Sequence, residues 1–193
     1  MEDDFKNIVS TDWLAQHLEA PDIRIIDSSW YFPQEKRNAE QEFLECHIPG
    51  ASFFDIDKIK DNDSDLPHML PPSEMFNSTV RKLGIGDGHK VVIYDGLGMR
   101  SAARLWWMFK VFGYSDVVVL DGGFPKWVKE NRSTTAEITE KEIRHLTIYE
   151  DKSIVADRDD VLRATKLNHC SIIDARSEER FICLLYTSDA ADE

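Results

Sequence analysis

Cysteine is scarce in this chain. The 193 residues hold three, Cys46, Cys170 and Cys183, scattered and with no Cys-x-x-Cys pair. That pattern excludes a disulfide framework and a cysteine-built zinc site. Basic residues are also outnumbered, 23 Lys and Arg against 36 Asp and Glu, for a net charge of −13. A surface of that sign argues against non-specific nucleic-acid binding and against docking on anionic lipid. The acidic stretches read as solvated surface. No apolar run approaches the roughly 18 residues of a membrane span. The opening Met1-Glu2-Asp3-Asp4 has no basic-then-apolar leader pattern, so a cytoplasmic location is expected. What remains is 42% hydrophobic and 31% charged, enough for a packed core, at a length that suits one domain plus a remainder.

Apolar periodicity divides the chain into alternating elements. Ser10 caps a helix carrying Trp13, Leu14 and Leu18, which Pro21 ends. Ile23 to Asp27 reads as a short buried strand and Ala51 to Asp55 as another. Ser73 to Leu83 is a helix, Lys90 to Tyr94 a strand, Ser101 to Phe112 a helix, Val117 to Leu120 a strand, and Pro125 and Trp127 open a short helix. Short apolar strands alternating with helices imply an α/β fold, a parallel sheet with helices on both faces. From Asn131 onward, Thr, Glu, Lys and Ile dominate and the segment reads as a linker. Beyond it the order restarts: a helix from Asp159 to Leu167, then Cys170-Ser171-Ile172-Ile173-Asp174 as a strand. It matches the first pass through Ile25-Ile26-Asp27 and marks an internal repeat.

The run Val91-Val92-Ile93-Tyr94-Asp95-Gly96-Leu97-Gly98-Met99-Arg100-Ser101 passes from strand through a glycine-bearing loop into a helix. Such a turn aims main-chain N–H groups at one point beside a helix N-terminus, as anion cradles do. Asp95 stands where a nucleophile is expected. Its charge opposes anion binding by Arg100 and the loop, and a collapsed loop follows.

His47-Ile48-Pro49-Gly50-Ala51, Phe53-Phe54-Asp55-Ile56-Asp57, Leu66-Pro67-His68-Met69-Leu70-Pro71, Trp106-Trp107-Met108-Phe109 and Leu120-Asp121-Gly122-Gly123-Phe124-Pro125-Lys126-Trp127 together resemble the rhodanese superfamily. The similarity runs from about Val9 to Phe181 and is to the N-terminal half of two-domain thiosulfate and 3-mercaptopyruvate sulfurtransferases. It implies a non-catalytic rhodanese domain at 8–130, a linker at 131–156 and the start of a second rhodanese domain at 157–182. In that family the second domain carries a persulfide-forming cysteine on the loop equivalent to 95–101, so Asp95 is what a first domain is expected to show. Residues 183–193 resemble a translated sequencing adapter, a non-native tail that discounts Cys183.

The resemblance further implies a sulfur donor, 3-mercaptopyruvate or thiosulfate, an acceptor such as a thiol, thioredoxin or cyanide, and no metal or organic cofactor. Asp57 and His68 match a supporting relay, in which a carboxylate fixes an imidazole tautomer and the imidazole takes a proton from a hydroxyl. Arg180, in the Asp-x-Arg-x-x-x-Arg-Phe segment from Asp174 to Phe181, matches the residue that binds the donor's carboxylate or sulfonate. Without the resemblance, His68 reads as structural and Arg180 as a surface arginine beside Glu178 and Glu179. His47 is expected to be structural, Cys46 unreactive and Cys170 part of a packed strand. Two rival functions stay open: a non-catalytic rhodanese-like docking module, and a phosphatase on the same fold. The latter needs a Cys-x5-Arg loop, which Asp95 disfavours.

Overall fold

Alternation along one strand decides the architecture. In Lys90–Tyr94 (β4), Val91 and Ile93 belong to one apolar cluster and Val92 and Tyr94 to another, and all four are fully buried. A strand apolar on both faces has to be covered on both, because successive side chains point to opposite sides of a sheet. The computed structural model describes residues 7–167, 170–176 and 178–182. It places β4 third in a five-stranded sheet ordered β1-β5-β4-β2-β3, with β1 Ile8–Val9, β2 Ile23–Asp27, β3 Ser52–Phe53 and β5 Val117–Leu120. Every pairing is parallel. The register sets Asp27 beside Tyr94 and Ile25 beside Val92.

Helices Thr11–Gln16 (α1), Ala39–Glu45 (α2) and Gly123–Lys129 (α5) contribute Leu14, Phe43 and Trp127 to the cluster that holds Val92 and Tyr94. Helices Ser73–Lys82 (α3) and Ala102–Val111 (α4) contribute Phe76, Val80, Leu105, Met108 and Phe109 to the cluster of Val91 and Ile93. Each such side chain adds about 1.5–3 kcal/mol when fully buried. Polar side chains start the short helices. Ser10 Oγ accepts the Trp13 N–H at 3.1 Å, and Asn38 accepts the Gln41 N–H at 3.0 Å. The α/β reading with helices on both faces therefore holds.

The chain divides into two compact units between Asp151 and Lys152. Residues 131–151 of the segment read as a linker belong to the first unit. Thr135 exchanges two main-chain bonds with His47, at 2.8 and 2.9 Å. Asp87 accepts the Thr147 N–H and hydroxyl at 2.9 and 2.8 Å, and Leu146, 3% exposed, sits in the cluster with Val91 and Ile93. The segment's few apolar residues lack the spacing of any regular element, so its attachment to the core was not visible in the pattern.

In the second unit, Arg158–Ala164 (α6) starts from a reciprocal cap between Asp157 and Asp160, and Glu178–Ile182 forms α7. The strand expected over 170–175 is not formed. Cys170 is exposed, and Ile172 and Ile173 are 54% and 87% exposed. A lone apolar segment has no neighbour to satisfy its main-chain groups and so gains nothing by extending. Cys183 and the expected tail 183–193 lie outside the described residues.

Candidate active site

The site is built at the carboxyl ends of β2 and β4, where parallel sheets place their ligands. Asp95 directly follows β4 and is 1% exposed. Its Oδ1 accepts the N–H groups of Leu97, Gly98 and Met99 at 2.9, 2.7 and 3.1 Å, and its Oδ2 accepts the Ala102 N–H at 2.8 Å. The cradle anticipated from the sequence is present. It is filled by the chain's own carboxylate, which also sits at the positive end of α4. The turn needs left-handed backbone at Gly98 (φ +86°) and, less usually, at Met99 (φ +94°). Arg100 is committed elsewhere: it pairs with Glu35 at 2.7 Å, donates to the Trp30 carbonyl at 3.3 Å and lies over the Phe32 ring.

Beneath the loop lies a buried acid that the motifs did not single out. Asp27, 5% exposed, accepts both the N–H and the hydroxyl of Ser29, and Ser29 Oγ in turn accepts the Gly96 N–H at 2.8 Å. Burial pushes the Asp27 carboxyl up to about 6, against the lowering pull of the Ser29 bonds. A Cβ at Gly96 would collide with the Tyr31 hydroxyl, which is why the chain can pass so close there.

Asp57 and His68, the residues expected to form a relay, meet. His68 Nε2 lies 2.6 Å from Asp57 Oδ1. An ionised carboxylate can only accept, so Nε2 carries the proton and Nδ1 is the basic nitrogen. Trp30 Nε1 donates to both Asp57 oxygens, at 3.1 and 3.2 Å, and its ring meets the imidazole edge-on at 5.0 Å. His68 borders a cleft of about 460 Å³ walled by Trp30, Phe32 and Met69, with His68, Arg100, Ser101 and Arg104 as its polar groups. Asp57 is 63% exposed at its side chain, so its bond to His68 orients the ring far more than it stabilises the fold.

The remaining candidates separate clearly. His47 is fully buried, stacks on Phe43 and shares its Nδ1 with the Phe43 carbonyl at 2.6 Å, a structural arrangement. Cys46 is exposed. Trp107 lies under the Arg104 guanidinium, and Trp106 Nε1 donates to the Val117 carbonyl at 3.1 Å. Arg180 lies on α7 in the second unit, exposed, and helps to hold the Asp174 carboxyl below its ordinary range, a shift caused chiefly by Arg176. Trp30, Ser29 and Arg104 were missed in the sequence. A tryptophan three residues past a strand that ends in Asp was the available signal for the first of them. Among the described residues no group of three His, Cys, Asp or Glu side chains is placed to hold a metal, and no helix is long and apolar enough to cross a membrane.

Residues 10–130 match the family described as the rhodanese-like domain. The chain is 54% identical over 120 residues to thiosulfate/3-mercaptopyruvate sulfurtransferase 1, mitochondrial, of Arabidopsis thaliana, covering 62% of this chain and 32% of that protein. It is 38% identical over 183 residues to 3-mercaptopyruvate sulfurtransferase of Rattus norvegicus, covering 92% of this chain and 62% of that protein. It is 39% identical over 184 residues to thiosulfate sulfurtransferase of Bos taurus, with the same two coverages of 92% and 62%. The chain thus spans less than two thirds of the length of these relatives. Among solved structures, SseA from Escherichia coli, described with the rhodanese fold and mechanism of 3-mercaptopyruvate sulfotransferases, superposes with a TM-score of 0.85 at 40% identity, covering 91% of this chain and 68% of that one.

Proposed function

The chain belongs to the rhodanese-like family, and from that premise we propose that it is the relay-bearing part of a sulfurtransferase that moves sulfane sulfur from 3-mercaptopyruvate or thiosulfate to a thiol or cyanide through a cysteine persulfide. The observation that carries the reading is the Asp57–His68 pair, 2.6 Å apart, whose imidazole lines an open cleft beside the β4–α4 loop. A cysteine thiolate attacks the thiol sulfur of mercaptopyruvate or the outer sulfur of thiosulfate. The carbon–sulfur bond of mercaptopyruvate, or the sulfur–sulfur bond of thiosulfate, breaks, releasing the enolate of pyruvate or sulfite and leaving the enzyme persulfide. An acceptor thiolate or cyanide then removes the outer sulfur and regenerates the thiolate. His68, its tautomer set by Asp57, takes a proton from a hydroxyl at Nδ1. Arg180 is assigned by its residue pattern to the donor's carboxylate or sulfonate.

This chain does not supply the nucleophile from its own β4–α4 loop, where Asp95 occupies the cradle. By itself it is therefore expected to be inactive. The test is intact-mass and peptide mapping of the 193-residue chain after incubation with 3-mercaptopyruvate or thiosulfate and a thiol acceptor. The expected result is no turnover and no persulfide on Cys46 or Cys170. A persulfide on either cysteine that forms and discharges in step with product would overturn the assignment.

A further inference from the structure

Arg104 is a half-buried guanidinium that has no carboxylate partner among the described residues. One Nη donates to the main-chain oxygen of His68 at 2.6 Å, the guanidinium carbon lies 4.7 Å from the centre of the Trp107 ring, and Nε is buried without a partner. Burial pulls its pKa below the ordinary value, though an arginine stays charged. Moving a guanidinium partly out of water with no counter-ion is unfavourable, and the neighbouring Arg100 avoids that cost by pairing with Glu35. What Arg104 gains instead is one charge-assisted bond to a carbonyl.

That carbonyl belongs to an unusual residue. His68 has φ +54°, a left-handed backbone that a non-glycine residue adopts only when its surroundings enforce it. No helix or strand includes residues 61–72, so no ladder holds the turn. A main-chain bond from Asp61 N to Met69 O ties one side of it, and Arg104 ties the other. The left-handed turn is what presents the imidazole to Asp57. Arg104 itself leaves the first turn of α4, and the Asp95 carboxylate pins that turn through the Ala102 N–H. A rigid chain of contacts therefore runs from Asp95 through α4 and Arg104 to the His68 backbone.

We propose that Arg104 is a positioning residue for the Asp57–His68 relay, acting through the main chain of His68 to hold the imidazole in the tautomer with its proton on Nε2; this rests on the relay reading given above. A merely structural arginine would lower stability without selecting a tautomer.

The experiment is ring nitrogen NMR of the full 193-residue chain with labelled histidine, at a pH where the imidazoles are neutral. In the parent chain His68 shows the Nε2-protonated form. Arg104→Met, which keeps an apolar stem and removes the donors, lowers the tautomer ratio about tenfold, the loss of roughly 1.4 kcal/mol of preference. Arg104→Lys, which keeps one donor, restores most of it. The His47 ring, buried and bonded to the Phe43 carbonyl, keeps its parent spectrum. If methionine prevents folding, Arg104→Gln carries the same reading. A His68 spectrum that ignores Arg104, or a change shared equally by His47, overturns the proposal. The relay reading falls on a different result, a transfer rate that survives His68→Asn when residues 10–151 replace the corresponding segment of Escherichia coli SseA, so the two can fail separately.

Discussion

Asp95→Asn isolates the charge in the β4–α4 cradle while keeping its shape. In the parent chain one oxygen accepts three N–H groups at 2.7–3.1 Å and the other accepts the Ala102 N–H at 2.8 Å. The asparagine oxygen can keep the three, but each changes from a charge-assisted bond to a neutral one, and its NH2 group then faces the Ala102 N–H. A buried donor left unpaired costs about 1–3 kcal/mol, and each weakened bond adds a few tenths to about 1 kcal/mol. The sum is about 3 kcal/mol, or roughly 6–12 °C in melting temperature for a unit of this size. All five tryptophans, Trp13, Trp30, Trp106, Trp107 and Trp127, lie in the first unit, so urea unfolding followed by their fluorescence reads that unit alone. The midpoint should fall with the slope unchanged. Asp95→Ala should fall at least as far and recover in part with added sulfate or phosphate, which can enter the emptied cradle. An asparagine variant within about 0.5 kcal/mol of the parent would refute the claim that the carboxylate holds the loop.

Two further perturbations follow from the same contacts. The Asp27 carboxyl is raised from 3.8 to about 6, so its contribution to stability is fully present below about pH 4 and is lost as pH rises through 6. Asp27→Asn keeps the acceptor for Ser29 and cannot ionise. Relative to the parent it should therefore gain with pH across that window, by up to about 3 kcal/mol at pH 7, and a parallel pair of stability–pH curves would exclude the effect. Leu146→Ala should cost about 2–5 kcal/mol if 131–151 is part of the first unit's core, whereas a loss under about 0.5 kcal/mol would return that segment to linker status.

The legibility of this chain follows the range of the interactions. Strands β4 and β5 could be read because four consecutive apolar side chains, bounded by Asp or Gly, leave few alternatives, and β2 because Ile23, Ile25 and Ile26 fall between Pro21-Asp22 and Asp27. The strand-to-helix loop could be read because its geometry is local. The Asp57–His68 meeting was anticipated only through family resemblance, since the two lie eleven positions apart along irregular chain and no periodicity spans them. Arg104 was not legible. Its bond to His68 crosses from α4 to a loop 36 residues earlier, and an arginine on an amphipathic helix ordinarily reads as solvated surface. The error at 170–175 has the opposite cause. Ile172 and Ile173 have strand chemistry, but a strand is a property of its neighbours, and the second unit's described residues provide none.

The central claim is that this domain serves sulfur transfer through Asp57 and His68 and does not merely dock a partner. The direct measurement replaces the corresponding segment of Escherichia coli SseA with residues 10–151 of this chain and follows pyruvate release from 3-mercaptopyruvate. The chimera is expected to turn over, and His68→Asn to lower its rate roughly 10²–10⁴-fold, the usual worth of a placed general base. A folded, active chimera whose rate is the same with asparagine at position 68 would contradict the claim and leave the docking module as the better description.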